Sequence, residues 1–248
     1  MKKIIKLLAM GWFVVSCSTD NSPLINSGEL GIGDLLQYVS EHSSENRINI
    51  AASNVHGITS QIDIHKELAV SLRKEGYQNT VAIDQKEIDF EQDSYVKVYS
   101  SSADGMDDMM PKFGANIIVS IKTYDKTKES EVAYRKAEVY NPAMIKATNM
   151  EEIMNIDKTQ DLTIRWNPDP VNDKPISITL ISRKSGDKNV HINKVVNDTG
   201  AFTITASELS IFSAESKIDV LLARGNTETN GDTEINLYNV ELISSEVQ

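Results

Sequence analysis

From residue 162 onward, apolar and polar side chains alternate with a period of two. Leu162-Thr163-Ile164-Arg165-Trp166 sets the pattern, and Ile176, Ile178 and Leu180 repeat it around Ser177 and Thr179. Phe202 and Ile204 follow the turn cluster Asn197-Asp198-Thr199-Gly200, and Asn167-Pro168-Asp169-Pro170 forms another. Val220 and Leu222 mark a strand that Gly225-Asn226 is expected to close. Asn230-Gly231 opens the last strand, through Ile235, Leu237, Tyr238, Val240 and Leu242. Alternation over such lengths is the mark of a strand with one wet face and one dry face. Six or seven such strands in about 85 residues, with turn signals between them, predict an antiparallel β-sandwich over 161–248.

The half before it is less regular. Leu30 and Ile32 alternate in a possible first strand, and Leu35, Leu36 and Val39 suit a short helix from Asp34. Arg47 to Ala51 alternates. Segment 60–76 fits two periods at once, since Ile62, Ile64, Leu68, Val70 and Leu72 sit at even spacing while Ile64, Leu68 and Leu72 are also four apart. The strand-like sequence downstream favours the strand. Val81–Ile83, Ile88–Phe90, Tyr95–Tyr99, Ile117–Ile121 and Val132–Val139 read as β segments, with a long loop from Ser100 to Pro111. Thr148-Asn149-Met150-Glu151 has capping-box spacing, ahead of a short helix through Ile153 and Met154. The expectation is a mainly β chain of two domains, 29–140 (β-rich, with short helices) and 161–248 (the sandwich), joined by a connector at 141–160.

Trp166 on an early strand resembles the core tryptophan of immunoglobulin-like and fibronectin type III-like domains, a likeness of architecture over 160–244. No cysteine pair supports the true immunoglobulin version. The string Leu162-Thr163-Ile164-Arg165-Trp166-Asn167-Pro168-Asp169 is also similar to uncharacterised lipoproteins of Bacteroidetes, and that likeness implies no activity.

The first seventeen residues carry a different pattern. Lys2, Lys3 and Lys6 precede an apolar stretch from Leu7 to Val15, too short to span a bilayer. It ends in Val14-Val15-Ser16-Cys17, which resembles the bacterial lipobox. The resemblance implies a signal peptide over 1–16, cleavage before Cys17, acylation of Cys17 (diacylglycerol on sulfur, a palmitate-type chain on nitrogen) and a tether over 17–28. Cys17 is the only cysteine of the chain, so the fold has no intramolecular disulfide. Several acyl chains anchor almost permanently, where one binds marginally. Under the enteric sorting rule Ser18, rather than Asp, after the Cys implies the outer membrane; which face is open, and Asp20 alone is a poor match to a surface-export acidic cluster.

Charge narrows the partners. The 248 residues have a net charge of −11, and more without the three leading lysines. Such a chain repels phosphate backbones. Its best basic cluster, Lys122, Lys126 and Lys128, is interrupted by Asp125 and Glu129, so no nucleic acid is expected.

Motifs that carry chemistry are few. His42, His56, His65 and His191 form no zinc motif and read as surface or loop residues. A nucleophile elbow is missing, and Gly28, Gly31 and Gly33 do not form a phosphate loop. Asp107/Asp108, Glu151/Glu152 and Asp169/Asp173 read as solvated acids. Asn167, Asp169 and Asp173 share a loop that calcium could use, without the EF-hand pattern. Met106-Asp107-Asp108-Met109-Met110 would suit Cu(I), but Met more often fills irregular gaps. Tyr95, Tyr99 and Tyr124 read as alternating core residues rather than a surface row. Hence no catalytic, metal or cofactor residue is assigned, and Cys17 is the one site. The expectation is a non-enzymatic envelope binding or scaffold protein, held to the membrane by its lipid and meeting an envelope protein partner, with the 100–111 loop as the candidate contact. The alternative is a hydrolase of envelope or nutrient polymers.

Overall fold

The computed structural model describes residues 46–56, 62–72, 77–88, 96–100, 110–182, 190–214 and 216–248. The signal peptide, Cys17, the tether, the strand and helix expected over 28–39, His42, Tyr95 and the methionines at 106 and 109 lie outside them.

The described chain is mainly β, with two short helices, α1 (Met150–Met154) and α2 (Ala206–Leu209). One large mixed sheet runs in the order β11 (His191–Val196), β10 (Ile176–Ser182), β13 (Lys217–Asn230), β14 (Thr233–Val247), β1 (Arg47–His56), β2 (Ile62–Ser71) and β5 (Val96–Ser100). Strand β8 (Asn155–Ile156) adds to the C-terminal end of β14. All pairings along that order are antiparallel except β1 on β14, which is parallel from Arg47↔Glu234 to His56↔Ile243. A four-stranded antiparallel sheet follows the order β4 (Lys86–Ile88), β3 (Tyr77–Ile83), β6 (Ala115–Asp125), β7 (Ser130–Asn141). The third sheet is the pair β9 (Leu162–Arg165) and β12 (Ala201–Ile204).

Each small sheet covers one end of the large one. Ile117, Val119 and Ile121 of β6, with Val81, Ile83 and Ile88, pack on Ile48, Ile50, Leu68, Val70, Ile235 and Leu237. Leu162, Ile164, Trp166 and Ile204 pack instead on Ile176, Ile178, Leu180, Ile218, Val220, Leu222 and Ile243. The result is two sandwich layers on one shared sheet, with Trp166 in the core of the second. The ambiguous segment 60–76 supplies strand β2, as its even spacing predicted.

The last hairpin differs from expectation. Strand β13 does not close at Gly225-Asn226 but continues to Asn230. A Cβ at Gly225 would lie 3.2 Å from the Leu237 carbonyl oxygen, so glycine there permits close strand approach rather than a turn. The chain reverses only at Gly231-Asp232, where Gly231 has φ +66°. Because β14 is this long, Ile235 and Leu237 serve one core while Ile243 and Val247 serve the other. Between the cores the inward row turns polar: Arg224 and Asn226 on β13, Asn239 and Glu241 on β14, Asn54 on β1, all buried.

Connector residues 142–147 run along this polar row. Asn239 accepts from the Ile145 amide (2.6 Å) and donates to the Ala143 carbonyl (3.1 Å). Arg224 donates to the same carbonyl (2.8 Å) and to Asp198 (2.8 Å), while Trp166 Nε1 donates to the other Asp198 oxygen (2.7 Å). Every inward polar group here that binds connector backbone replaces the water it lost on folding.

Helix α1 forms where expected, but without the capping box. Its N-cap is Asn149, whose side chain instead donates to the Thr163 carbonyl and accepts from the Arg165 amide. The capping box occurs at α2, between Thr205 and Glu208.

Candidate functional site

The outer face of the four-stranded sheet is the candidate site. Strand β6 alternates strictly: Ile117, Val119 and Ile121 face the core, so Lys122 and Tyr124 on the other parity face outward. Strand β3 sets Thr80 opposite Lys122 and Gln78 opposite Tyr124. Strand β7 sets Tyr134 opposite Lys122 and Glu131 opposite Tyr124, with a register shift at Thr123/Tyr124 that leaves Val132 without a partner. That β-bulge twists the end of the hairpin and re-aims its side chains. Gln78, Thr80, Lys122, Thr123, Tyr124 and Glu131 line a shallow open depression of about 300 Å³.

Apolar groups are exposed around it. Tyr124 is 39% exposed, Val132 45% and Tyr134 54%. The expectation that Tyr124 is a core residue is therefore wrong. Its even parity against Ile117, Val119 and Ile121 was the available signal, and Tyr134 opposite Lys122 carries the same one. Tyr99 lies on β5, and its side chain is outside what is described.

The floor and end of the depression are held firmly. Thr123 donates to Asn79 (2.9 Å) across β3 and β6. Asp125 closes the β6–β7 turn, accepting from the Thr127 hydroxyl (2.7 Å), the Thr127 amide and the Lys128 amide. Those bonds, the Thr127 hydroxyl first, outweigh burial and hold its carboxyl below the ordinary range. Gln78, Thr80, Lys122, Tyr124 and Glu131 make no side-chain hydrogen bond or ion pair to the described residues. Their donors and acceptors face solvent unspent.

The other singled-out residues are placed elsewhere. Asp169 is buried at the end of β7. Burial pushes its carboxyl up, but the Ala143 amide (2.8 Å), Tyr140 hydroxyl (2.9 Å) and two further amides outweigh that and hold it below the ordinary range. Burial and that same bond push the Tyr140 phenol up to about 12. Asn167 accepts from the Lys146 amide (2.6 Å), and Asp173 pairs with Lys174 (2.7 Å). Of the three residues considered for calcium, Asn167 and Asp169 are thus turned to protein partners, and Asp173 is exposed beside its chain neighbour. Glu152 meets Arg165 at 3.4 Å. Met110 is buried in the first core, a gap-filling role.

His56 is not a loop residue. It lies on β1, and its Nε2 sits 2.9 Å from buried Glu241, whose second oxygen accepts from the Ala147 amide. Burial pushes the Glu241 carboxyl up, against the Ala147 amide and His56. Among the described residues no group of three or more His, Cys, Asp or Glu is placed to hold a metal ion. Also among them, no helix is long and apolar enough to cross a membrane.

No family model matches this chain, and no curated protein matches it. Among solved structures, the FN1-FN3 domains of chicken CNTN1 match over 78% of this chain and 62% of that one, at 6% identity and a TM-score of 0.30. This chain thus spans less than two thirds of that chain's length. An overlay this loose carries no weight, and the sandwich layers rest on the strand pairings and cores described above.

Proposed function

We propose that the protein is a lipid-anchored binding module of the bacterial outer membrane, without catalytic activity. The observation that carries this reading is the open sheet face at Tyr124 and Tyr134, where unspent polar groups lie beside exposed aromatic rings. Exposed apolar clusters rimmed by polar groups mark interaction sites. The anchor reading rests on the lysines, the apolar stretch and Cys17 in Val14-Val15-Ser16-Cys17. On this reading the lipid holds the module at the membrane while its sheet face meets an envelope component.

Hydrolysis of a polymer is the competing function. It asks for two acids, or a histidine and an acid, converging in a cleft. Asp125 and Asp169 are spent on turn and connector amides, and Glu241 is buried with His56 at the junction of the cores. Those placements support binding over cleavage.

Cys17→Ala should move the full chain from the detergent phase to the aqueous phase on cell fractionation, and unchanged partitioning rejects the anchor. Crosslinking in the native envelope, followed by mass spectrometry, should recover the protein with a defined component. Recovery of the protein alone, together with cleavage of a polysaccharide or peptide by purified material, rejects the binding module.

A further inference from the structure

We infer that the ligand of the β3–β6–β7 face is a neutral saccharide, stacked on Tyr124 and Tyr134 and hydrogen-bonded by Gln78, Thr80, Lys122 and Glu131. This rests on the binding-module reading and narrows it to a chemical class.

Geometry comes first. Tyr134 stands opposite Lys122, and Tyr124 is two residues along β6 on the same face. In a regular ladder diagonal neighbours lie about 7–8 Å apart, within reach of one ligand ring or two linked ones, and here the bulge inserts Val132 between the two pairs. Singly exposed apolar residues are ordinary, whereas two tyrosines on one face form a platform. A pyranose ring has an apolar C–H surface and a rim of hydroxyls, each able to donate and accept. It therefore suits a flat aromatic surface edged by mixed donors and acceptors. The face supplies both kinds: Lys122 donates, Glu131 accepts, and Gln78 and Thr80 do either.

Charge and shape argue against other occupants. Lys122 and Glu131 cancel locally, on a chain of net charge −11, so a polyanion gains nothing here. The depression is open and shallow and offers no buried pocket for the aromatic or arginine anchor that dominates protein–protein binding.

The test is affinity electrophoresis of the full chain in non-ionic detergent, through gels containing mannan, xylan, laminarin or pullulan, with polygalacturonate as the anionic comparison. At least one neutral polysaccharide should retard the protein, and added salt should not abolish the effect. Tyr124→Ala and Tyr134→Ala should each weaken retardation about tenfold, the scale of one lost aromatic contact, while Tyr124→Phe keeps most of it. Both side chains are exposed, so the variants should melt like the parent by circular dichroism. Retardation by none of the neutral polymers overturns the inference. So does retardation by polygalacturonate alone, or retardation that both alanine variants retain. A photo-crosslinker at position 134 separates the two levels. Capture of an envelope protein without polysaccharide retardation sinks the saccharide and leaves a binding module standing, whereas failure of both sinks both.

Discussion

Arg224 has no exposed surface and spends its donors on Asp198, the Ala143 carbonyl and the Asn167 carbonyl. Replacing such a pair outright with apolar residues can be neutral, but removing one partner strands the other. Arg224→Met should therefore cost about 3–5 kcal/mol, read from urea unfolding. Glu208 gives a pH-dependent case. Hydrogen bonds from Lys194 and then Thr205 hold its carboxyl down to about 2, from an ordinary 4.5. A depressed carboxylate stabilises the fold fully above its unfolded value, and the contribution is lost as pH falls through the folded one. Parent and Glu208→Gln should thus differ in urea midpoint at neutral pH and converge as pH approaches about 2. A gap that persists in acid would mean the loss is not electrostatic.

At the scale of elements, two hairpin turns beside the four-stranded sheet are built differently. The β3–β4 turn places Asp84 and Gln85 at φ +49° and +70°, left-handed conformations with no glycine. Asp84 offsets this by accepting from the Ile118 amide (2.8 Å), while the Gln85 side chain makes no such bond among the described residues. Gln85→Gly should stabilise by about 1 kcal/mol, seen as a higher urea midpoint. The β13–β14 turn uses Gly231, where a Cβ would lie 2.5 Å from Arg135 Nη1. Arg135 of β7, beside Tyr134 but on the opposite side of the sheet, donates to the Asn230 carbonyl and pairs with Asp232, so β7 and the tip of the long hairpin are joined through one side chain.

For the whole molecule, the long hairpin means that the two cores share their load. Leu237 belongs to one core and Ile243, six residues on along the same strand, to the other. Leu237→Ala should cost about 2–5 kcal/mol. Hydrogen exchange should then show amides of β10 losing protection along with those of β6, although β10 touches only the second core. Protection lost in β6 alone would show that the cores open independently. An isolated fragment 158–248 lacks β1, the partner of β14, and so presents a bare strand edge of the kind that pairs with other chains.

The sequence by itself determined the class of the structure and most of its strands, because a period of two reports one dry face wherever the inward residues are apolar. It placed Trp166 in a core and segment 60–76 in a strand. For the N-terminus it offers an expectation, the order of lysines, apolar stretch and Cys17 that resembles an export signal. The alternation failed at residues 224–226, where the inward side chains become Arg and Asn and the strand reads as finished. Only the tertiary structure decided that these residues stay buried, because Asp198 and the Ala143 and Asn167 carbonyls bind Arg224 and the Tyr140 carbonyl binds Asn226, all distant in sequence. The candidate face was half legible. Parity alone set Lys122 and Tyr124 outward, but their meeting with Tyr134, Gln78 and Thr80 depends on strand order and a bulge, which pairing between distant segments sets.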